Sequence, residues 1–238
     1  MKNIALIIAG GTGERMHQNI PKQFINVEDK PVIVYTLQAF QNHPDINEIW
    51  VVCIDGWCHI LKAYAMQFNI TKLSGVVIGG ETGQDSIRNG VYAIAENHEE
   101  EDLILIHDAI RPMLSTDIIS DCIVTARKYG NAVVAIPCTE VMLMTEEGLT
   151  ATKNIERDRL KRTQTPQAFK LGDLIKVHKK ALEQGIKNER ASASLFVKFG
   201  YTIHFSQGSE KNLKLTTSED IDIFKALLHA KRPEWIKG

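Results

Sequence analysis

Strand-length apolar runs alternate along the chain with segments of helical periodicity, and this alternation constrains the fold more than any other feature of the sequence. The apolar runs cover residues 4–9, 49–53, 76–78, 103–106 and 132–136, and the helical segments cover 32–40, 60–68, 86–95 and 118–129. Strands that read as continuous hydrophobic runs are typical of a mostly parallel sheet with helices on both faces. The sequence therefore predicts a three-layer, Rossmann-like, doubly wound α/β fold, in which ligands bind at the carboxyl ends of the strands.

The alternation breaks after Pro137, where two short segments flank an acidic turn that contains Gly148. Residues 141–145 and 150–154 predict a protruding β-hairpin, within an excursion of about residues 138–160. Further helices are predicted at 171–184 and 193–198, a strand at 202–205, and a terminal helix capped by Ser218 with Asp220 in its first turn. Because no repeat, low-complexity tract or long linker divides the chain, residues 1–238 are expected to form a single domain.

Charge and apolar content argue against two large classes of protein. The 28 Lys and Arg residues nearly balance the 29 Asp and Glu residues, so no overall field draws the chain to nucleic acid or to an anionic membrane surface. The apolar runs are far shorter than the ~20 residues of a membrane-spanning helix, and Gly10 and Gly11 interrupt the first of them, unlike a secretory signal. We therefore expect a cytoplasmic protein whose cysteines are reduced thiols, since their spacing does not match a zinc site.

A glycine-rich loop follows the first predicted strand, in the segment Ala9-Gly10-Gly11-Thr12-Gly13-Glu14-Arg15-Met16. Without side chains at the glycines, successive backbone N–H groups can converge on an anion. Tight turns also need glycine for purely steric reasons, but two nearby cations, Arg15 and Lys22, have no packing role and favour phosphate binding. The lysine and hydroxyl that end a Walker motif are absent, as is the third glycine of the dinucleotide fingerprint, so neither of those loops is present.

Further sequence blocks narrow the interpretation. They are Pro21-Lys22-Gln23-Phe24, Gly79-Gly80-Glu81 with Ser86, His107-Asp108-Ala109-Ile110-Arg111-Pro112, Gln164-Thr165-Pro166-Gln167-Ala168-Phe169 and Asn212-Leu213-Lys214-Leu215-Thr216. Together with the glycine-rich loop, these blocks resemble the 2-C-methyl-D-erythritol 4-phosphate and ribitol 5-phosphate cytidylyltransferases in order and spacing. The resemblance covers almost the whole chain, and the His-Asp-Ala-x-Arg-Pro and Thr-Pro-Gln-x-Phe strings are its most distinctive parts.

The resemblance implies CTP as the nucleotide donor. The residues that would surround the cytosine are Ala9, Gly10, Gly80, Glu81 and Ser86. Those that would hold the triphosphate are Gly11, Gly13, Arg15, Lys22 and Lys214, and Ala109 would lie near the ribose. Arg15, Lys22 and Lys214 are the predicted catalytic residues, because they would offset the charge that develops as the α-phosphorus is attacked.

The resemblance also implies a phosphorylated small-molecule acceptor, with predicted contacts at Asp108, Arg111, Arg157, Thr165 and Arg190. Asp108 and Arg111 could instead form a simple ion pair that shapes the turn, but we favour a role for Asp108 in orienting the acceptor or the ribose. Mg²⁺ is expected, held mainly by the phosphates with Asp108 contributing. Because the acceptor phosphate is already an anion, no protein base is required, and His107 is interpreted as structural.

Two departures from the family pattern fall on the acceptor side. Glu140-Val141 replaces an Asp-Thr pair, and the segment 190–194 replaces Thr-Asp-x-x-Ser. In that segment Arg190 either contacts a more anionic acceptor or is an exposed arginine at a helix start. Lost polar groups predict an altered acceptor. Ribitol 5-phosphate is the first candidate, narrowly ahead of 2-C-methyl-D-erythritol 4-phosphate, followed by another phosphate or phosphonate.

The resemblance further implies a homodimer. The predicted hairpin matches an arm that clasps a partner, and Arg157 matches an arginine that reaches the acceptor phosphate from the neighbouring subunit. Two other interpretations remain open: a related enzyme that uses another nucleotide, and a protein that binds CTP without turnover. The blocks around Glu81 and Ser86 favour cytidine over other nucleotides, and the cations Lys22 and Lys214 favour catalysis over simple binding.

Overall fold

The computed structural model describes residues 1–11, 20–189 and 191–230 of the chain. In chain order its strands are β1 (Asn3–Ala9), β2 (Asn26–Val27), β3 (Lys30–Pro31), β4 (Glu48–Cys53), β5 (Leu73–Ile78), β6 (Leu103–Asp108), β7 (Asn131–Pro137), β8 (Met142–Met144), β9 (Lys153–Ile155), β10 (Lys161–Lys170) and β11 (Phe205–Gln207). Its helices are α1 (Val32–Gln41), α2 (Cys58–Gln67), α3 (Gly83–Ala95), α4 (Thr116–Tyr129), α5 (Leu171–Glu183), α6 (Ser192–Lys198) and α7 (Ser218–His229). The predicted alternation of strands and helices is confirmed.

Seven of the strands form one central sheet, in the order β11-β7-β10-β6-β1-β4-β5. The pairs β1–β4, β1–β6, β4–β5 and β7–β11 are parallel, while β10 runs antiparallel to both β6 and β7. The sheet is therefore mostly parallel, as predicted. The carboxyl ends of β1, β4, β5 and β6 lie at the same edge, which is where such sheets bind ligands.

Helices cover both faces of this sheet because the strand residues alternate between two cores. In β1, Ala5 and Ile7 join the core under α1, α2 and α4, whereas Ile4 and Leu6 join the core under α3, α5 and α6. All four side chains are completely buried. Burying one large aliphatic side chain contributes ~1.5–3 kcal/mol. The buried side chains of Ile4, Leu6 and Ile7 therefore hold β1 firmly in the sheet, next to the loop that follows it.

A third, smaller core holds the C-terminal segment against the sheet edge. Phe224 of α7 packs with Val27 and Leu215, and the backbone N–H of Leu215 donates to the carbonyl of Ile110 across 2.9 Å. This contact joins the segment that contains Lys214 to the loop that follows β6.

Three features of the observed fold differ from the prediction. β10 was not predicted as a strand, because it is polar and contains Pro166, which cannot donate to a ladder. Its pairing with β7 shifts register between Thr163 and Gln167, and this irregularity accommodates the proline. The strand predicted at 202–205 is β11, displaced towards the C-terminus. The cap of α7 is Thr217 rather than Ser218: its hydroxyl accepts from Asp220 N–H, and the Asp220 carboxylate accepts from the N–H of Thr217, so only these two residues complete a capping box.

The predicted hairpin is present but shorter than expected. β8 and β9 pair antiparallel, with Met142 opposite Ile155, and Gly148 adopts a positive φ of 81° in the connection. Its apolar side chains are exposed in the single chain: Val141 by 75%, Leu143 by 59% and Leu149 by 91%.

Cys53, Cys58, Cys122 and Cys138 are all free thiols. None of the helices in the described parts of the chain combines the length and the apolar character that crossing a bilayer requires.

Candidate active site

A cavity of about 800 Å³ opens at the carboxyl edge of the sheet, between the loops that follow β1, β4, β5 and β6. The predicted site residues that line it are Ala9, Gly10, Gly11, Lys22, Gly80, Glu81, Ser86, Asp108, Ala109, Arg111, Thr165 and Lys214. Arg157 does not line it. Gly13, Arg15 and Arg190 lie outside the described residues. The structure thus brings these twelve of the predicted residues together in one cavity.

One end of the cavity is built from closely packed glycines around Ser86. The Ser86 hydroxyl oxygen accepts a hydrogen bond from the backbone N–H of Gly80 across 3.0 Å, so its own hydrogen remains to be donated to a ligand. A Cβ at Gly10 would lie 3.1 Å from that oxygen, and one at Gly80 would lie 2.4 Å from Cβ of Asp85. Glycine is therefore required at Gly80, whereas a side chain at Gly10 would need Ser86 to shift by a few tenths of an ångström.

The start of α3 fixes this end of the site. Thr82 is the N-cap of α3: its hydroxyl accepts from the backbone N–H of Asp85 across 3.1 Å and donates to the Asp85 carboxylate across 2.8 Å. Such a cap satisfies an N–H group that the helix itself leaves unpaired. Asp85 also forms an ion pair with Arg88 at 2.8 Å. The segment from Gly80 to Ser86 is consequently held in place before any ligand binds.

Gln23 ties the glycine-rich loop to the segment that carries Lys22. Its side-chain amide donates to the carbonyls of Ala9 and Gly11, across 2.8 Å and 3.1 Å, and Gln23 is almost completely buried. Phe24 stacks on Trp57 with the ring centroids 4.7 Å apart. Sequence reasoning did not assign Gln23 to the site, although its place in the Pro-Lys-Gln-Phe string was an available signal.

Asp108, at the end of β6, lies between two cations. Its carboxylate oxygens are 3.1 Å and 3.2 Å from the Lys214 ammonium and 3.0 Å from Nε of Arg111. Burial by itself raises the pKa of Asp108, but the charges of Lys214 and Arg111 outweigh it and hold that pKa below its ordinary value. The carboxylate is therefore ionised at neutral pH, and it orients both cations at the cavity wall.

His107, the residue before Asp108 in β6, supports the site from the buried side. Nε2 of His107 lies 3.2 Å from the carbonyl of Arg111, which can only accept, so Nε2 carries the ring hydrogen. Nδ1 therefore accepts the hydroxyl hydrogen of Thr165 across 3.0 Å, and the Thr165 oxygen accepts the backbone N–H of Asp108 across 3.1 Å. Burial lowers the pKa of His107 to about 4, and its side chain is completely covered. This histidine is neutral at pH 7 and holds the site together without facing the cavity.

Buried amides surround Thr165 and Arg111, and the sequence analysis assigned none of them to the site. Arg111 Nη1 donates to the carbonyl of Asn212 across 2.8 Å, and the Asn212 amide donates to the carbonyl of Thr165 across 2.8 Å. Gln164 and Gln167 line the cavity from β10. Ser192, at the start of α6, also lines it, and its buried hydroxyl has no hydrogen-bond partner within the described parts of the chain. For Gln164, Gln167 and Asn212, the available signal was their position within the Gln-Thr-Pro-Gln and Asn-Leu-Lys strings.

Two residues noted on the acceptor side lie away from the cavity of a single chain. Arg157 donates to the carbonyl of Thr139 across 2.9 Å at the base of the hairpin, and its side chain is 55% exposed. Val141 belongs to the exposed part of the same hairpin. Neither residue lines the cavity of its own chain.

The carboxylates that line the cavity are Asp55, Glu81 and Asp108. Among residues 1–11, 20–189 and 191–230, no group of three His, Cys, Asp or Glu side chains is arranged to hold a metal ion. This donor set does not form a metal site made by the protein alone. It fits a cation that phosphate oxygens hold, with one carboxylate added.

Comparisons with known proteins agree with this geometry. A family model described as IspD, 2-C-methyl-D-erythritol 4-phosphate cytidylyltransferase, matches residues 3–230. A ribitol-5-phosphate cytidylyltransferase from Lacticaseibacillus paracasei is 41% identical over 229 residues, which cover 95% of this chain and 98% of that protein. A 2-C-methyl-D-erythritol 4-phosphate cytidylyltransferase from Clostridium botulinum is 33% identical over 227 residues, covering 95% and 97% of the two chains. A crystal structure of 4-diphosphocytidyl-2C-methyl-D-erythritol synthase matches with a TM-score of 0.79 and 27% identity, covering 95% of this chain and 98% of that one.

Proposed function

The chain belongs to the 2-C-methyl-D-erythritol 4-phosphate cytidylyltransferase family, and from this premise we propose that it transfers a cytidylyl group from CTP to ribitol 5-phosphate. The products are pyrophosphate and a CDP-linked polyol. The observation that carries the proposal is one cavity with two differently built ends. Glycines and the Ser86 hydroxyl form one end, and Lys22, Arg111 and Lys214 supply positive charge to the remainder.

The reaction needs positioning and charge neutralisation more than acid–base chemistry. An oxygen of the acceptor phosphate attacks the α-phosphorus of CTP, a new P–O bond forms, and the bond to the β-phosphate oxygen breaks with release of pyrophosphate. Because the attacking oxygen is already an anion, no protein group has to remove a proton. Lys22 and Lys214, together with Arg15, balance the charge of the triphosphate, and Arg111 faces the acceptor.

The choice of ribitol 5-phosphate rests on two observations. The relative that is 41% identical bears that substrate in its name, and the relative named for 2-C-methyl-D-erythritol 4-phosphate is 33% identical. Ala191 and Ser192, at the start of α6, line the cavity. Ala191 stands where the family pattern has Asp. A changed set of polar groups at this wall favours a changed polyol, because hydroxyl recognition depends on buried polar partners.

We also propose that Mg²⁺ accompanies the nucleotide. Asp108 is the protein ligand that we assign to it, and the phosphate oxygens supply most of the others. When bound, the cation would neutralise part of the phosphate charge. The role of Asp108 in this chain is to hold Lys214 and Arg111 beside that position.

A homodimer is the further part of the proposal. The apolar side chains of the hairpin, including Val141, Leu143 and Leu149, are exposed in one chain, and a partner that covered them would gain favourable burial. Arg157 lies at the base of this hairpin and away from its own cavity. In the proposed dimer Arg157 contacts the acceptor phosphate in the cavity of the partner subunit.

Two measurements test the dimer. Sedimentation should give twice the chain mass, and Leu143→Asp should reduce it to one. Mixing Arg157→Ala with Lys214→Met should restore activity, since one of the two cavities in a mixed dimer then has both residues. A monomeric wild type, or mixtures with no recovery, would contradict this arrangement.

Pyrophosphate release tests the function directly. The purified protein is incubated with CTP, Mg²⁺ and separate pools of ribitol 5-phosphate, 2-C-methyl-D-erythritol 4-phosphate, other polyol phosphates and phosphonates. Release in the ribitol 5-phosphate pool alone is the expected result, and replacement of CTP by ATP, GTP or UTP should abolish it. Turnover confined to a different pool would reject ribitol 5-phosphate as the acceptor.

A second candidate function is a related cytidylyltransferase for another phosphate or phosphonate, or a homologue that binds CTP without turnover. The replacement of polar family residues by Ala191 and Val141 favours it. Calorimetry with CTP separates the two cases. CTP binding with silence in every acceptor pool would indicate a non-catalytic protein, whereas release in an unexpected pool would indicate another acceptor.

A further inference from the structure

Gln84, the second residue of α3, connects two distant parts of the chain. Its side-chain NH₂ group donates to the carbonyl of Ile186 across 2.9 Å, and its side-chain oxygen accepts from the backbone N–H of Glu189 across 2.9 Å. Gln84 is only 4% exposed. Its partners are 102 and 105 positions further along the sequence, so these bonds are made by the tertiary structure alone.

The two parts that Gln84 connects contribute to two walls of the cavity. On its own side, Thr82, Gly83 and Ser86 line the end built around the glycines. On the other side, the segment 186–189 leads directly to Ala191 and Ser192, which line the acceptor wall. Gln84 itself does not line the cavity, so it acts between the walls and touches neither substrate.

The acceptor wall has a second attachment on its far side. The backbone N–H of Ala193 donates to the side-chain oxygen of Gln167 across 3.1 Å, in a buried position. The segment before it contains two residues with positive φ, Gly185 at 63° and Asn188 at 65°, and no regular secondary structure. The N–H of Ile186 donates to the carbonyl of Ala181 at the end of α5, and Glu189 forms an ion pair with Lys198 at 2.7 Å. The carbonyl of Ile186 and the N–H of Glu189 are held by the Gln84 side chain, which fixes the backbone between these points.

We propose that Gln84 is a positioning residue that sets the distance between the nucleotide wall and the acceptor wall, and thereby the affinity for the acceptor. The proposal rests on the proposed function for the placement of the two substrates. Loss of both hydrogen bonds leaves the carbonyl of Ile186 and the N–H of Glu189 without their partner. The segment then moves to regain partners, and residues 186–193 are where this movement is measured most directly. The start of α3 keeps its own cap through Thr82 and Asp85, so the nucleotide wall stays in place.

The test uses Gln84→Met, which keeps the length of the side chain and removes both hydrogen bonds. Gln41 offers a matched control, because its NH₂ group donates to Thr71 across 2.9 Å and its oxygen accepts from Lys72 N–H across 2.9 Å, near the start of β5. That position is at the opposite edge of the sheet and does not line the cavity. Gln41→Met therefore removes the same kind of link away from the substrates.

For Gln84→Met we expect the KM for the acceptor to rise roughly tenfold, with the KM for CTP within about twofold of wild type. Gln84→Glu replaces the donor to Ile186 with a buried oxygen that repels that carbonyl, so it should raise the KM for the acceptor at least as much as Gln84→Met. Gln41→Met should leave both KM values unchanged. Equal changes in both KM values for Gln84→Met, or the same changes in Gln41→Met, would overturn the proposal.

Amide hydrogen exchange measured over residues 186–193 provides a readout that does not depend on turnover. Gln84→Met should speed exchange in this segment while calorimetry shows unchanged CTP affinity, and Gln41→Met should do neither. If wild type releases no pyrophosphate with any acceptor, the proposed function fails, and the exchange result still decides the positioning role. Unchanged exchange at 186–193 in Gln84→Met would reject that role even in an active enzyme.

Discussion

Thr165 donates its hydroxyl hydrogen to Nδ1 of His107, 3.0 Å away, although 58 positions separate the two residues in the sequence. The same hydroxyl accepts the backbone N–H of Asp108. One side chain of β10 thereby links a buried histidine to the end of β6, where the Asp108 carboxylate lies between Lys214 and Arg111. Thr165 was predicted to contact the acceptor, and the structure shows that it lines the cavity and bonds to His107 and Asp108.

Thr165→Val should lower kcat/KM about tenfold or more, because the isosteric change removes both hydrogen bonds and leaves His107 and the N–H of Asp108 without this partner. Thr165→Ser retains a hydroxyl at the same position and should recover most of the loss. Steady-state kinetics with CTP and the acceptor checks both variants. Equal activity of Thr165→Val and wild type would show that the network does not position Asp108.

Lys214→Met should lower kcat/KM roughly 10- to 100-fold, since a charge-assisted contact to phosphate contributes ~1.5–3 kcal/mol. It also removes one of the two cations that hold the pKa of Asp108 low. That pKa rises in the variant, so any loss of activity at acid pH should begin at a higher pH than in wild type. Lys211→Met is the control, because Lys211 is exposed and does not line the cavity. A similar loss in Lys211→Met would indicate a general effect of charge.

Ser86→Ala should weaken CTP binding about tenfold and leave the acceptor KM nearly unchanged. The change removes a hydroxyl that can donate to the nucleotide and deprives Gly80 N–H of its partner. Isothermal calorimetry with CTP measures the effect. Ser74→Ala is the matched control, since the Ser74 hydroxyl is exposed and bonds only locally, to the carbonyl of Lys72. Weaker acceptor binding with unchanged CTP affinity would reverse the assignment of this end of the cavity.

His178→Leu should flatten the pH dependence of stability. His178 is buried on α5, and neither ring nitrogen has a hydrogen-bond partner within the described residues. Burial, assisted by the charge of Arg88, lowers its pKa from the usual 6.5 to about 4. The unfolded chain therefore binds a proton first as the pH falls, and the free energy of unfolding decreases between about pH 6.5 and pH 4.

Each such histidine contributes a slope of up to about 1.4 kcal/mol per pH unit in that window. Urea unfolding of wild type and His178→Leu at several pH values checks this prediction. The difference between the two proteins should be constant above pH 7, where the histidine is neutral in both states, and should shift in favour of the variant below pH 6. Parallel curves across the whole range would contradict it.

Most of the fold was predictable because the strands of a buried parallel sheet are continuous apolar runs in the sequence. β1, β4 and β6 are strands of this kind. The family resemblance inferred from the motifs is confirmed. β10 was not predicted, because it is a polar strand that contains Pro166 and has no continuous apolar run. The buried amides Gln23 and Asn212 escaped too, since their importance lies in backbone partners that the sequence does not place beside them.

The sequence by itself determined the layers of the fold, the family, and the residue types that a phosphate and nucleotide site requires, because hydrophobic period and local motifs are properties of neighbouring residues. Only the tertiary structure decided how those residues act together. It placed Lys214 beside Asp108, 106 positions away, and Thr165 within hydrogen-bond distance of His107. It also joined the two cavity walls through the hydrogen bonds of Gln84. Hydrogen bonds and ion pairs act over about 3 Å, so their partners are fixed only once the packed core has brought distant segments to that distance.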